Sequence, residues 1–254
     1  MVPGILEEDY DRIFEMSISV TASLLSANFL RLGEDIKQSE KSGISGFHLD
    51  VMDGHMAPNL SYGPPVIKAI RRATSFFLDT HLMIDNPWLF FDDYIAAGTD
   101  GLLIHAEAYD LDSWEPRHIQ KKARSTKRIN TDKLRSDLIS LRTRGMAIGI
   151  TLNLLTPISL ITPLLPLCDS VLLMSIDPGY SGQTFNPTVL PKIRELRVQY
   201  TGPIKIDGGI SPKTAPAVID AGATELITAS YLYGSNDYAE AVKRLIPDTT
   251  SPSL

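Results

Sequence analysis

The chain has 254 residues, of which 43% are hydrophobic and 21% are charged, a composition typical of a globular protein with one large core. A formal net charge of −6 at pH 7 argues against nucleic acid or an anionic membrane as a partner. The single cysteine, Cys168, excludes an internal disulfide and a cysteine-based zinc cage.

Residues 1–16 are interpreted as an N-terminal extension, acidic and without a basic start or a long apolar run, so no signal peptide is predicted. No stretch of the chain reaches the roughly 18 to 20 apolar residues that a membrane span requires. We therefore expect a soluble, cytoplasmic protein. Residues 247–254, rich in Pro, Ser and Thr, are expected to be a flexible tail.

Short apolar segments alternate with helical patterns, which indicates repeated βα units and a parallel sheet. Eight strands are predicted, the number that closes a (β/α)8 barrel. The fold class is therefore α/β, with a single TIM barrel over residues 17–246, and about 250 residues is the usual length of this fold. The predicted strands lie near Ile18–Ala22, Gly46–Asp50, Phe76–His81, Gly101–His105, Ala147–Asn153, Ser170–Ser175, Ile204–Asp207 and Glu225–Ala229.

Amphipathic segments between these strands are predicted to form the outer ring of helices. Three of them are followed by a glycine suited to a left-handed C-cap, namely Gly43, Gly98 and Gly222. The predicted helices are Leu30–Lys41, Pro65–Arg72, Trp88–Ala97, Val189–Val198 and Lys213–Ala221.

The connection after the fourth strand is longer than a crossover helix needs, so residues of about 110–140 are interpreted as an insertion. Its basic part, Arg117–Arg128, is expected to be a solvated loop and helix face rather than a lid or a partner-binding patch.

Reactive side chains are concentrated near the predicted C-terminal ends of strands, which converge on one mouth in a TIM barrel. His48 and Asp50 are two positions apart in the second strand, so they share a face, and that face is the interior if Leu49 points to the helices. His81 ends the third strand and Asp207 the seventh. Each residue alone is as consistent with a buried group satisfied by backbone partners. Together, two imidazoles and two carboxylates suit a divalent metal site.

The strand order predicts that Asp50 and Asp207 approach a central ligand from different sides. One carboxylate would remove a proton from the carbon next to a carbonyl, and the metal would stabilise the enediolate as a Lewis acid. The other carboxylate would then return a proton to the opposite face. This pattern predicts inversion of a stereocentre.

The turns after the last three strands, which are glycine-rich after the sixth and seventh and Ala229–Ser230 after the eighth, suggest a phosphate site. Backbone N–H groups in such turns bind anions, and phosphate sites in barrels tend to use these late loops, although such glycines are as often plain turns. The candidate phosphate-binding residues are Gly179, Tyr180, Ser181, Gly182, Gly208, Gly209, Ala229 and Ser230.

Seven segments together resemble the ribulose-phosphate 3-epimerase family, and the resemblance covers about residues 20–245. No single motif is as specific as the combination. The segments are Ser23–Phe29, His48–His55, Pro58–Asn59, His81–Met83, His105–Glu107, Met174–Ser175 with Pro178–Gly179, and Asp207–Ile210.

The resemblance implies a ketose phosphate as substrate and one divalent metal, usually zinc, iron, manganese or cobalt, held by His48, Asp50, His81 and Asp207. It implies that Asp50 and Asp207 are also the acid and base. A homo-oligomer is expected. The remaining residues expected to contact the substrate are Ser23, His81, Met52, Met83 and Met174, where the methionines would form a polarisable apolar wall.

Three departures from the family pattern indicate a divergent member. The usual Gly-Phe-Gly-Gly is Gly179–Gly182 with Tyr and Ser inside, the usual Gly-Ser is Ala229–Ser230, and the usual Asn-Pro-Ala-Thr-Pro is Asn153–Pro157 with two leucines. A methyl group at Ala229 would narrow the approach to a phosphate.

Several activities stay open at this point. D-ribulose 5-phosphate is the leading substrate, and the six-carbon D-allulose 6-phosphate is the alternative. A metal-assisted lyase or decarboxylase and a non-catalytic sugar-phosphate sensor are further readings. Lys205 is the one lysine near a strand end, and we expect it to be a barrel-layer residue rather than a reactive group.

Overall fold

The computed structural model describes residues 17–111 and 125–246, and its eight strands form a closed parallel barrel in sequence order, with β8 paired to β1. The predicted fold class is confirmed. The predicted N-terminal extension, the tail and most of the basic segment lie outside the described residues. The strands are β1 Ser19–Ser23, β2 Gly46–Met52, β3 Phe77–Met83, β4 Gly101–His105, β5 Ala147–Leu152, β6 Ser170–Met174, β7 Ile204–Asp207 and β8 Glu225–Thr228.

Helices surround the barrel, and among the described residues none is long and apolar enough to cross a bilayer. Between β5 and β6 the chain forms only 3-10 turns, at Ile158–Leu160 and Thr162–Leu167. The α-helices are α1 Leu32–Glu40, α2 Pro64–Ala73, α3 Phe91–Ala97, α4 Thr131–Thr143, α5 Val189–Gln199, α6 Ala215–Asp220, α7 Ser230–Tyr233 and α8 Tyr238–Lys243.

The element bounds differ from the predicted ones in two informative ways. Helices α1 and α3 begin later than predicted because a 3-10 turn precedes each, at Phe29–Arg31 and Pro87–Leu89. Strands β2 and β3 run two residues further than predicted, to Met52 and Met83. His48, Asp50 and His81 therefore lie inside hydrogen-bonded strands, which fix their positions more rigidly than loops would.

The three predicted glycine caps are confirmed, since Gly43, Gly98 and Gly222 all have positive φ. In the long connection after β4, helix α4 begins at an Asn130 cap whose side chain accepts from the Lys133 N–H. Residues 112–124 of this connection lie outside the described part of the chain. The interpretation of residues 110–140 as an insertion stays a prediction.

Alternation along the strands divides the buried residues into two sets. In β2, Phe47, Leu49 and Val51 belong to the main apolar core, whereas His48 and Asp50 are buried polar residues of the opposite face. The interior of the barrel has its own small apolar cluster, made of Leu103, Leu172, Met174 and Ile227. The inward polar residues thus sit in a water-poor setting that demands partners for each of them.

A buried ion-pair group occupies the floor of the barrel. Its members on β3 and β7 lie two residues before His81 and Asp207, respectively. Lys205 Nζ lies 2.5 Å from Asp79 Oδ2 and 3.2 Å from Glu225 Oε2, and Thr21 donates to the other oxygen of Glu225. Burial lowers the pKa of Lys205, but these carboxylates outweigh it and raise the pKa above its usual value. Lys205 is therefore a charged barrel-layer residue, as expected.

Replacing Lys205 by Met should destabilise the protein by about 3–5 kcal/mol, because it leaves the buried Asp79 carboxylate without its cation. Urea unfolding followed by circular dichroism measures this loss. Asp92→Asn is the matched control, since Asp92 pairs with Arg144 on the surface and its side chain is 88% exposed. If both variants lost the same small amount of unfolding free energy, a structural role for the floor ion pairs would be contradicted.

Candidate active site

Four side chains with metal-ligating atoms meet inside the mouth of the barrel. One ligand atom from each of His48, Asp50, His81 and Asp207 can be chosen so that all lie within 4.8 Å of one another. Asp50 and His81 are register partners on adjacent strands, and Asp207 reaches the group from β7. The structure therefore brings together all of the residues predicted for the metal set.

Three of these atoms form a tight triangle. His48 Nε2 is 3.2 Å from His81 Nδ1, and each of these nitrogens is 3.3 Å from Asp50 Oδ1. Ligand atoms about 2.0–2.2 Å from a tetrahedrally bound zinc ion are about 3.3–3.6 Å apart. The nitrogen and oxygen donors thus have the chemistry and the spacing that a divalent cation of the zinc type requires.

The carboxylate of Asp50 is oriented by Ser23. Ser23 Oγ donates to Asp50 Oδ2 at 2.5 Å, and both residues are buried. This bond occupies one oxygen and leaves Oδ1 facing the two imidazoles. Ser23 was expected to contact a substrate. It lines the cleft described below, and its hydroxyl is already committed to Asp50.

Electrostatics separate the two carboxylates. Burial raises the pKa of Asp50, but the neighbouring imidazoles of His48 and His81 outweigh it and hold the pKa well below its usual range. Burial, followed by the negative charge of Asp50, raises the pKa of Asp207 to about 7. Two carboxyl groups with separated pKa values are a common arrangement in acid and base chemistry.

The two imidazoles also differ. Burial lowers the pKa of His48, but the charge of Asp50 outweighs it and raises the pKa to about 9. Burial lowers the pKa of His81 to about 3, because the nearby imidazoles offset the opposing effect of the Asp50 carboxylate. His81 is therefore the neutral ring of the pair, and its Nδ1 lies 3.2 Å from His48 Nε2.

A chain of buried polar groups continues behind His81. His81 Nε2 lies 2.8 Å from His105 Nε2, the two rings are stacked, and His105 Nδ1 lies 3.0 Å from Glu107 Oε2. His105 and Glu107 were not among the predicted site residues. The sequence signal was available, because His105 ends β4 as an inward residue two positions after Leu103.

A cleft of about 500 Å³, open solvent included, lies above this cluster. Asp50 and Asp207 line it, whereas His48 and His81 are fully buried and do not. The other predicted residues in its lining are Ser23, Met52, Met83, Met174, Gly179, Tyr180, Ser181, Gly182, Gly208, Gly209, Ala229 and Ser230.

The predicted phosphate residues share the end of the cleft formed by the loops after β6, β7 and β8. Gly209 has φ +63°, and a Cβ atom there would lie 2.6 Å from the backbone nitrogen of Phe185, so only glycine fits. Ala229 has φ −125° and precedes the short helix α7, so its backbone lies outside the left-handed region that favours glycine. Ala229 lines the cleft, as the sequence suggested.

Two loops are joined above the cleft by side-chain hydrogen bonds. Asn59 Nδ2 donates to the Gly179 carbonyl at 2.7 Å, and Tyr180 Oη donates to the Pro58 carbonyl at 2.8 Å. These bonds connect the segment after β2 with the loop after β6. The tyrosine that departs from the family pattern thus holds its own loop against the Pro58–Asn59 segment.

The chain matches the model of the "Ribulose-phosphate 3 epimerase family" over residues 19–126 and 112–233. It is 37% identical to the ribulose-phosphate 3-epimerase of Synechocystis sp., over 89% of this chain and 92% of that protein. It is also 37% identical to the ribulose-phosphate 3-epimerase of Bacillus subtilis, over 90% of this chain and 98% of that protein.

Among solved structures, KGPDC from Streptococcus mutans is similar in fold. The TM-score is 0.61 at 10% sequence identity, with 90% of this chain and 95% of that chain covered. At this identity the similarity concerns the barrel alone.

Removing the hydroxyl group of Ser23 should destabilise the protein by about 1–3 kcal/mol, because a buried carboxylate oxygen loses its donor. Ser23→Ala is measured by urea unfolding. Ser26→Ala is the control, since the buried Ser26 Oγ has no hydrogen-bond partner among the described residues and little should be lost. The account of Asp50 orientation fails if Ser23→Ala is no less stable than Ser26→Ala.

Proposed function

Because the chain belongs to the ribulose-phosphate 3-epimerase family and is an isomerase, we propose that it inverts C3 of a ketose phosphate. The proposed reaction interconverts D-ribulose 5-phosphate and D-xylulose 5-phosphate. The observation that carries the proposal is that Asp50 and Asp207 both line the cleft while their ligand atoms share one small space with those of His48 and His81.

We assign the four clustered residues as the ligands of one divalent cation, consistent with the spacing of the His48, Asp50 and His81 donors. A bound cation would supply Lewis-acid stabilisation of the negative charge that develops on the substrate oxygens during enolisation. The candidate cations are zinc, iron, manganese and cobalt.

Asp50 and Asp207 are assigned as the acid and base pair. In one direction, one carboxylate removes the C3 proton and the other delivers a proton to the opposite face, and the roles exchange in the reverse direction. Asp50 comes from β2 and Asp207 from β7, so they approach the cleft from strands three positions apart in the barrel. Both carboxylates return to their starting protonation states after one forward and one reverse turnover.

The rest of the cleft is suited to holding an anionic intermediate and a phosphate. Met52, Met83 and Met174 form an apolar lining that offers no proton to the planar intermediate. The turn at Gly179–Gly182 and the Gly208–Gly209 pair offer backbone N–H groups at the other end, where we place the phosphate.

The structure gives less support to the other readings. Lysine-based lyase chemistry is disfavoured because no lysine lines the cleft in the described part of the chain, and Lys205 is bound to Asp79 and Glu225 in the barrel floor. D-Allulose 6-phosphate is disfavoured by the Ala229 methyl group at the proposed phosphate end of the cleft. Homo-oligomerisation and a cytoplasmic location stay predictions from the sequence.

Incubation with D-ribulose 5-phosphate in D2O should place deuterium at C3 of both epimers, as observed by NMR. Asp50→Asn should abolish this exchange, because an amide cannot accept the C3 proton, and the circular dichroism spectrum should be unchanged. The exposed Asp220 on α6 provides the control variant Asp220→Asn, which should exchange at the wild-type rate.

Parallel incubations with D-ribulose 5-phosphate and with D-allulose 6-phosphate identify the competing activities. Exchange confined to D-allulose 6-phosphate would identify the six-carbon sugar as the substrate. Carbon–carbon cleavage would indicate a lyase, and binding without exchange would indicate a sensor. Full exchange by Asp50→Asn would refute the role assigned to that residue.

Removal of the cation by chelation should abolish exchange, and addition of Zn²⁺ or Co²⁺ should restore it with one ion bound per chain. The reason is that the four donors form one cluster. Metal analysis and the exchange rate are measured on the same sample. Undiminished exchange by a protein shown to be metal-free would contradict the assignment.

A further inference from the structure

The path of polar contacts behind His81 ends in a buried carboxylate that the proposed reaction does not use. His105 and Glu107 are both fully buried, and neither lines the cleft. Glu107 Oε1 accepts from the Asn153 N–H at 2.8 Å, and its Oε2 faces His105 Nδ1 at 3.0 Å. A charged side chain held this far from solvent needs a reason beyond packing.

The contacts along this path link the proton positions of Glu107, His105 and His81. An ionised carboxylate can only accept, so His105 Nδ1 must donate to Glu107. A neutral His105 then presents Nε2 as an acceptor, 2.8 Å from His81 Nε2. In this arrangement His81 carries its proton on Nε2, which leaves the lone pair on Nδ1 facing His48 and Asp50.

Several contacts keep Glu107 ionised and fixed. Burial raises the pKa of Glu107, but hydrogen bonds from His105, Thr156 and the Asn153 backbone outweigh it and lower the pKa below its usual value. Lys192 Nζ donates to the Asn153 carbonyl at 2.6 Å and supplies a nearby positive charge. These contacts hold the Glu107 carboxylate in a fixed position beside the ends of β4 and β5.

His48 provides a contrast within the same site. Its Nδ1 is buried and has no hydrogen-bond partner among the residues of 17–111 and 125–246. No buried carboxylate therefore fixes the tautomer of His48 in the way that Glu107 acts on His81 through His105. In metal sites the partner of the second ring nitrogen commonly sets the orientation and basicity of a histidine ligand.

We propose that Glu107 and His105 are positioning residues that set the tautomer of His81, so that its Nδ1 is presented as a ligand for a divalent cation. This inference rests on the metal site of the proposed function. Neither residue touches the cation or the substrate. They act through His81, and their effect is on affinity for the cation rather than on proton transfer to the sugar.

Glu107→Gln is the most direct test, because the side chain keeps its size and shape while the direction of each hydrogen bond between residue 107, His105 and His81 is reversed. In this variant the amide oxygen continues to accept from the Asn153 N–H. The amide NH2 group then faces His105 Nδ1 and donates to it. His105 then carries its proton on Nε2 and donates to His81, whose own proton moves to Nδ1. The lone pair that should bind the cation is thereby blocked.

Two measurements on the purified protein test these proton positions, and neither of them uses a sugar phosphate. Titration with Co²⁺ in competition with a chelating dye should show about 10- to 100-fold weaker binding in Glu107→Gln. In the metal-free protein, nitrogen-15 NMR of the imidazoles should show the proton of His81 on Nε2 in the wild type and on Nδ1 in the variant. Failure of the epimerase assignment would leave both results unchanged.

Matched variants separate this role from a loss of structure. Glu225→Gln removes another carboxylate from the barrel interior, at the floor beside Lys205, and should leave Co²⁺ affinity unchanged even if stability falls. His105→Phe keeps a ring beside His81 but removes the acceptor, so it should weaken Co²⁺ binding as well. Glu107→Gln added to His105→Phe should then cost little more, because Glu107 acts through His105.

The proposal is overturned if Glu107→Gln binds Co²⁺ with wild-type affinity or if the tautomer of His81 is the same in both proteins. It is also overturned if the losses in Glu107→Gln and His105→Phe are fully additive.

Discussion

The buried carboxylate of Asp50 is the group on which the rest of the site depends. One oxygen accepts from Ser23 and the other faces the imidazoles of His48 and His81, so all of its interactions are made inside the barrel. A lone ionised carboxylate would be expensive to bury there. The strands β1, β2 and β3 therefore have to hold these partners in register, and a divalent cation fits the geometry that results.

The barrel interior carries charge at two levels, and the two have different consequences. In the floor, Lys205 neutralises Asp79 and Glu225 within the chain itself, so the group is complete. At the mouth, the carboxylates of Asp50 and Asp207 share one cluster with the imidazoles of His48 and His81. The ion pairs of the floor stabilise the fold. The cluster at the mouth offers nitrogen and oxygen atoms that can bind a cation.

Much of this could be predicted from the sequence because its signals are local. Apolar segments located all eight strands, and the spacing of His48 and Asp50 placed both on the inner face of β2. The two-residue extension of β2 and β3 was missed because Met52 and Met83 pack on each other across the sheet. The path from His81 through His105 to Glu107 was missed although His105 is an inward residue at the end of β4, because the contacts that form it join residues of different strands and loops.

The central claim is that two acidic side chains and two imidazoles share one cation beneath the cleft, with His81 bound through Nδ1. Anomalous diffraction from crystals of the Co²⁺-loaded protein tests it most directly. The account predicts one peak per chain, about 2.0–2.2 Å from His48 Nε2, His81 Nδ1 and a carboxylate oxygen each of Asp50 and Asp207. A peak elsewhere in the barrel, or a cation bound without these imidazoles, would contradict it.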